Sequence, residues 1–303
     1  MKKYHLNDAY QLRSAISETQ QEVLAHGNEQ FPCASYLDHY IRGKENYPWH
    51  WHDELEIAYV TKGRLNVTVN DHHFVLNSGE GVFINRRALH AYTLEGDDEV
   101  FMPNILFHPI LLYGWPESVF WEKYVKPLAF SETVSHVIFS PEVPWQAEIL
   151  RQAKHAFSLL TEESFGYEIH TQSALSQILF LLLQNLTEIS ENALPENPAE
   201  TDRVRRMLSY IQTHYASSIC LQQIADSAFI SKRECLRSFR RLTGVSPIQY
   251  VIDLRIRKAK QLLLESDLPV VEICSRCGFQ NQSYFTKIFR EKTGLSPAKY
   301  RKR

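Results

Sequence analysis

The chain has 303 residues, 44% of them hydrophobic, 12% aromatic and 22% charged. That composition is globular and long enough for about two domains at ~100–200 residues each, which excludes a disordered or collagen-like chain. The net charge of −2 hides an asymmetry: residues 1–200 carry 13 basic and 27 acidic side chains, and residues 201–303 carry 20 and 8.

The segment Met1 to Asp8 places no apolar run behind Lys2 and Lys3, so no secretory signal and a cytoplasmic location are expected. Residues 6–26 read as one amphipathic helix ending at Gly27. From about Phe31 to Phe107 short β-rich runs alternate with turn residues: Leu55–Val60, Arg64–Val69, Phe74–Leu76 and Gly81–Ile84. Arg64–Val69 alternates at period two and stops at Asn70-Asp71, a hairpin signal. Many short strands at this spacing predict a sandwich or jelly-roll barrel.

From Pro116 the period lengthens. Trp145–Leu160 and Tyr167–Leu186 predict helices, and the second is apolar on more than one face, so it must be buried in its own domain or against a partner chain. Its run Ile178–Leu183 is far short of the ~20 residues of a membrane span, and no membrane contact is expected. Residues 191–200 are polar and contain two prolines, as an interdomain linker would. The domain reading is therefore 1–190, with a barrel over about 31–107 and helices over about 116–188, then the linker, then 201–303. Five cysteines, an odd number without paired spacing, make no disulfide framework.

The basic third repeats itself. Phe239, Gly244, Ser246, Pro247 and Tyr250 recur fifty residues later as Phe289, Gly294, Ser296, Pro297 and Tyr300. Each unit reads as two short helices around a tight turn, with Ser231 placed to cap the second helix of the first unit and Gly278 supplying turn freedom in the second. Cys235, Phe239, Phe285 and Phe289 sit four apart in pairs and predict inward faces. Arg233, Arg237, Gln282, Ser283, Thr286 and Lys287 then face outward, a set of donors that suits a DNA major groove. Ile248–Leu264 reads as a long connecting helix.

Residues 205–303 resemble the DNA-binding domain of AraC-type transcriptional regulators. The resemblance rests on Glu272-Ile273, Gly278-Phe279, Ser283-Tyr284-Phe285, Phe289-Arg290, Gly294, Ser296-Pro297 and Tyr300-Arg301. It implies two helix-turn-helix units, with base-reading positions at Arg233, Leu236 and Arg237 in the first and Gln282, Ser283, Thr286 and Lys287 in the second. Arg240, Arg241, Arg290 and Lys292 are then phosphate contacts, which give affinity rather than sequence choice. The first unit departs from the pattern at Phe229, where the turn usually holds a small residue, and at Cys235 and Leu236.

Twelve of the 13 histidines precede residue 200, and one group is patterned: His50, His52, Glu56 and Gly63 read H-x-H-x3-E-x6-G. Residues two apart on a strand share a face, so His50, His52 and Glu56 can converge, with His90 from another strand. Such a set suits a divalent metal such as Zn, Fe, Ni or Mn, a metal-free effector pocket, or hydrogen-bonded core histidines. Residues 31–107 resemble a cupin barrel, well at this first motif and poorly at a second, where Asn85, Arg87 and Leu94 replace the usual residues. AraC-type regulators commonly carry such a barrel as effector sensor.

The expected architecture is thus two-domain: an N-terminal cupin- or jelly-roll-like β-barrel with following helices, then an all-α domain with two helix-turn-helix units. The expected function is a ligand-responsive, sequence-specific regulator. Its barrel binds a small-molecule effector, a sugar if Trp49, Trp51, Tyr59 and Tyr92 stack on it, beside His50, His52, Glu56 and His90. The expected partners are double-stranded DNA, a second copy of the chain through the helices at 145–188, and RNA polymerase if it activates. The alternative is a metal-dependent cupin enzyme fused to a DNA-binding domain.

Overall fold

The computed structural model describes residues 6–7, 16, 20–22, 24–41, 47–94, 96, 99–131, 133–185, 187 and 198–302. The chain divides into two compact units, whose main bodies are Gln21–Pro198 and Ala199–Arg303. No helix among the described residues is long and apolar enough to cross a membrane.

The first unit is built on ten strands: β1 (Leu6–Asn7), β2 (Cys33–Tyr40), β3 (Tyr47–His50), β4 (Leu55–Tyr59), β5 (Arg64–Val69), β6 (His72–Asn77), β7 (Gly81–Ile84), β8 (His90–Leu94), β9 (Val100–Phe107) and β10 (His136–Phe139). One sheet runs β1-β2-β9-β4-β7-β10 and the other β3-β8-β5-β6. Alternation along each strand divides the side chains between two cores. Leu55, Ile57, Phe83, Ile105 and Phe107 face away from the second sheet. Ala58, Val82, Ile84, Val100 and Met102 face Leu65, Val67, Leu76 and Tyr92 across the barrel interior. The β5–β6 hairpin closes where Val69 pairs with His72, and Asn70 takes the left-handed backbone (φ 50°) that asparagine tolerates.

After β9 come short helices α1 (Ile110–Tyr113) and α2 (Lys126–Ala129), the second preceded by a π-helical turn at Trp121–Val125. Two long helices follow, α3 (Pro144–Glu162) and α4 (Tyr167–Gln184). They pack on the outer face of the six-stranded sheet through Ile149, Leu150, Ala153, Ala156, Ala174, Leu175, Ile178 and Leu182. The apolar breadth of α4 is therefore spent largely inside its own chain, although Ile169 and Phe180 stay exposed.

The helix expected over residues 6–26 is not formed at the described positions. Leu6–Asn7 pairs with β2 as a parallel strand, and Gln21 makes a parallel bridge to Trp51. Residues 8–15, 17–19 and 23 lie outside the described residues. The reason is chemical: among the described ones the buried side chains are Gln20, Glu22 and His26, all polar.

The second unit is all helical: α5 (Pro198–His214), α6 (Leu221–Ser227), α7 (Lys232–Thr243), α8 (Pro247–Glu265), α9 (Val270–Arg276), α10 (Gln282–Thr293) and α11 (Pro297–Arg301). The linker expected at 191–200 lies outside the described residues up to 197, and 198–200 already belong to α5. Helix α8 joins the two helix-turn-helix pairs. It buries Tyr250, Leu254, Ala259 and Leu263, and Arg255 bonds back to the carbonyls of Tyr215 and Ser217, both at 2.7 Å.

Candidate sensor centre and nucleic-acid interface

Three imidazoles meet inside the barrel. The register pairs His50 on β3 with His90 on β8, and His52 follows just past β3. Their ligand atoms lie within 4.8 Å of one another, and all three are buried. Glu56 on β4 reaches the same point, with Oε2 3.3 Å from His52 Nε2 and 3.2 Å from His90 Nε2.

The outer nitrogens settle what the inner ones can do. Nδ1 of His50 lies 2.9 Å from the Pro48 carbonyl, Nδ1 of His52 3.1 Å from that of Glu54, and Nδ1 of His90 2.8 Å from that of Ala88. A carbonyl only accepts, so each Nδ1 carries a proton and donates it. In the neutral ring that leaves Nε2 as a lone pair; at His52, burial is outweighed by the Glu56 carboxylate, which raises the pKa, so a metal there would displace a proton that Nε2 shares with Glu56. Such backbone hydrogen bonds orient metal-bound histidines and fix their tautomer. His90 Nε2 is completely buried, with Glu56 Oε2 3.2 Å away. The donor set thus fits a divalent metal of the imidazole-binding kind. Burial, and then the nearby His90, lowers the pKa of His50 to about 3, which keeps it neutral. Burial opposes the charge on Glu56, but hydrogen bonds from His52 and His90 outweigh it and hold its carboxyl well below the usual range.

The sequence reading set Tyr92 near the histidines as a stacking residue but missed the other groups of the polar interior. Tyr92 donates to Glu56 Oε1 at 2.7 Å. On the inward face of β2 and β9, Asn104 donates to Asp38 at 2.7 Å, and its Oδ1 has no hydrogen-bond partner among the described residues. Burial, and then the Glu56 and Glu22 carboxylates, push Asp38 well above the usual range. The available signal was the alternation Tyr36, Asp38, Tyr40, polar at every second position of a strand. From the amino-terminal segment Glu22 arrives 3.9 Å from His50 Nε2, and His26 bonds Tyr36 at 3.0 Å. Trp49 is buried beside His50 in sequence, and Trp51 makes an isolated parallel bridge to Gln21.

The second unit presents two recognition helices. In the first pair, Ser231 Oγ accepts the Glu234 N–H at 3.2 Å to cap α7, and Phe229 makes the turn in left-handed backbone, φ 57° and 85% exposed. In the second pair the turn is Gly278, φ 80°, where a Cβ would stand 2.6 Å from the Tyr215 carbonyl. Asn281 caps α10 by accepting the Tyr284 N–H at 2.9 Å. Cys235, Phe239, Phe285 and Phe289 are fully buried. Arg233, Leu236, Arg237 and Arg240 are exposed on α7, and Gln282, Ser283, Thr286, Lys287 and Arg290 line one open groove along α10. Some of the basic groups are already engaged: Arg237 with Glu234 at 2.7 Å, Arg241 with Glu200, and Lys292 with Asp253 at 2.8 Å. Arg233, Arg240 and Arg290 make no ion pair among the described residues.

Residues 224–303 match a helix-turn-helix domain family, and residues 37–179 match the AraC-like ligand binding domain. The chain belongs to the AraC-type transcription regulators. It is 28% identical over 290 residues to an uncharacterised HTH-type transcriptional regulator, YdeC, of Bacillus subtilis (strain 168), covering 95% of this chain and 97% of the relative. It is also 28% identical over 254 residues to the HTH-type transcriptional activator RhaS of Klebsiella pneumoniae (strain 342), covering 83% of this chain and 86% of that one. The DNA-binding domain of AdpA, solved with a target DNA, is 34% identical over 33% of this chain and 89% of its own length, with a TM-score of 0.32. This AraC-type regulator is thus a ligand-responsive, sequence-specific DNA-binding protein, with its ligand-binding domain in the β-rich unit and its helix-turn-helix domain at the carboxyl end.

Proposed function

We propose that this regulator senses through the polar interior of its barrel. His50, His52, His90 and Glu56 hold a divalent metal, and the effector docks beside it against Asp38 and Asn104. The carrying observation is the convergence of three Nε2 atoms, each aimed by an Nδ1–H bonded to a backbone carbonyl. When bound, the metal supplies a Lewis-acidic contact for an effector oxygen. The protein's own part is to bind and orient. Asn104 offers an acceptor, burial and the nearby carboxylates push the pKa of Asp38 up toward the form that donates, and among the described residues no Lys or Arg is buried in the barrel. An interior of that kind favours a neutral, hydroxyl-bearing effector such as a sugar over an anion. The test is elemental analysis of the purified protein. About one equivalent of metal is expected, and it should be lost in His52→Ala. Metal-free protein whose effector response survives His52→Ala would sink this reading.

Several finer points rest on the same footing. The protein acts in the cytoplasm on double-stranded DNA, as a sensor rather than a catalyst. Base readout falls to Arg233, Leu236, Arg237, Gln282, Ser283, Thr286 and Lys287, and phosphate contact to Arg240 and Arg290. Arg241 first serves α5, through Glu200. A homodimer forms through the apolar side chains that α3 and α4 leave outside, and Phe180 and Ile169 support it by their exposure. RNA polymerase is a partner where the protein activates.

A further inference from the structure

The two helix-turn-helix units end their first helices with the same device. At α6 the Phe229 N–H donates to the Asp226 carbonyl at 3.0 Å and the Ile230 N–H to that of Ala225 at 3.1 Å. At α9 the Gly278 N–H donates to the Ser275 carbonyl at 2.9 Å and the Phe279 N–H to that of Cys274 at 3.0 Å. Both are Schellman caps, which need left-handed backbone at the residue after the cap, usually glycine and sometimes asparagine. Gly278 and Phe229 supply it, at φ 80° and 57°.

The two positions differ in what they ask of a side chain. In the second unit glycine is doubly required, since a Cβ would stand 2.6 Å from the Tyr215 carbonyl. In the first, a bulky residue takes a conformation that such residues rarely adopt, and its ring is 85% exposed. Neither the turn nor the core of the unit accounts for a phenylalanine there. Strain kept at a turn, with nothing inside the chain to reward it, points to a partner outside.

Position says what the ring can meet. Ser231, two residues on, caps α7, whose exposed row is Arg233, Leu236, Arg237 and Arg240. In a helix-turn-helix the N-terminal end of the recognition helix meets base edges, while the helix before it crosses the DNA backbone. A side chain on the turn between them stands at the rim of the groove. A phenyl ring has no hydrogen-bonding group to offer a phosphate, so its partner there is apolar: a thymine methyl or the carbon face of a deoxyribose.

We propose that Phe229 is a DNA contact of the first helix-turn-helix unit, laying its ring on apolar surface at the groove edge. The inference rests on α7 reading bases and adds to it a residue outside the recognition helix.

The probe is a duplex selected from a random DNA library by the full-length wild-type protein. Its affinity for wild type, Phe229→Gly and Phe229→Asn is measured by fluorescence anisotropy across a salt series. Glycine and asparagine both tolerate the left-handed turn, and urea unfolding checks that each variant folds. Each should bind about 10-fold more weakly with an unchanged salt slope, because an apolar contact releases no counterions. Replacing single thymines by deoxyuridine removes one methyl at a time. A thymine whose methyl is worth about fourfold to the wild type and nothing to either variant assigns the contact to that methyl. The 10-fold loss without such a thymine assigns it to a deoxyribose. Wild-type affinity in both variants would overturn the proposal, and so would a loss accompanied by a shallower salt slope, which means that α7 has shifted off its phosphates. Base substitutions in the first half-site that leave wild-type affinity unchanged would instead overturn base reading by α7.

Discussion

Phe229 holds a left-handed backbone in the first helix-turn-helix turn, where the second unit uses Gly278. A left-handed L-residue costs roughly 1–2 kcal/mol, and a ring 85% exposed to solvent recovers little of that by burial. Phe229→Gly is therefore expected to stabilise the protein by about 1 kcal/mol, offset in part by the greater freedom glycine has when unfolded. A urea titration checks it, and a loss of stability would mean that the ring packs on something. If DNA affinity falls while stability rises, the aromatic is there for the nucleic acid. Arginines on the two recognition helices should also separate by role. Arg237→Ala should cost about 1–3 kcal/mol of binding and relax preference at one base pair, whereas Arg290→Ala should weaken all sequences alike. Competition binding with a panel of single-base variants distinguishes them, and uniform losses from both would count against direct readout by Arg237. Individual residues also mark where the sequence was hard to read. Asp38 and Asn104 occupy alternate strand positions that usually carry core residues, and only the opposite sheet reveals that they face a polar interior.

At the scale of elements, periodicity carried most of the fold. Arg64–Val69, Gly81–Ile84, the two long helices of the first unit and the paired helices of the second all match their expected type. The amino-terminal segment defeated the same logic. Its spacing of apolar residues suits a helix, yet the groups it buries among the described residues are Gln20, Glu22 and His26, polar side chains rather than an apolar stripe. Helix α4 shows a different limit. Apolar residues on several faces signalled burial but could not say against what, and the answer is mostly α3 and the six-stranded sheet. Leu175→Ala should accordingly cost about 2–5 kcal/mol through a core cavity, read from denaturant unfolding at a concentration too low for self-association. Phe180→Ser, on the exposed side of the same helix, should leave that stability nearly unchanged and shift light-scattering mass from dimer toward monomer. A large loss of stability without a change of mass would place Phe180 in the core of its own chain.

Across the whole molecule, charge and chemistry divide the same way as the chain. The carboxyl-terminal third carries 20 basic against 8 acidic residues, which suits a polyanion and implies steep salt dependence from counterion release. The first two-thirds are acidic and hold the buried histidines and carboxylates, which suit a metal and a small neutral ligand. The DNA-binding half was the more legible of the two, because its fifty-residue repeat returns Phe, Gly, Ser, Pro and Tyr at fixed spacing. The sensor half was legible only at His50, His52, Glu56 and His90, since the proposed site draws its other groups from separate strands, which leave no local spacing to read. The most direct test of the central claim is DNA affinity of the full-length protein, measured by fluorescence anisotropy with metal loaded and with metal chelated, in wild type and in His52→Ala. The metal state should shift the affinity of the wild type, while His52→Ala should bind the same DNA with the same salt slope and ignore the metal. A wild type indifferent to its metal, or a His52→Ala protein that still responds to it, would contradict the account.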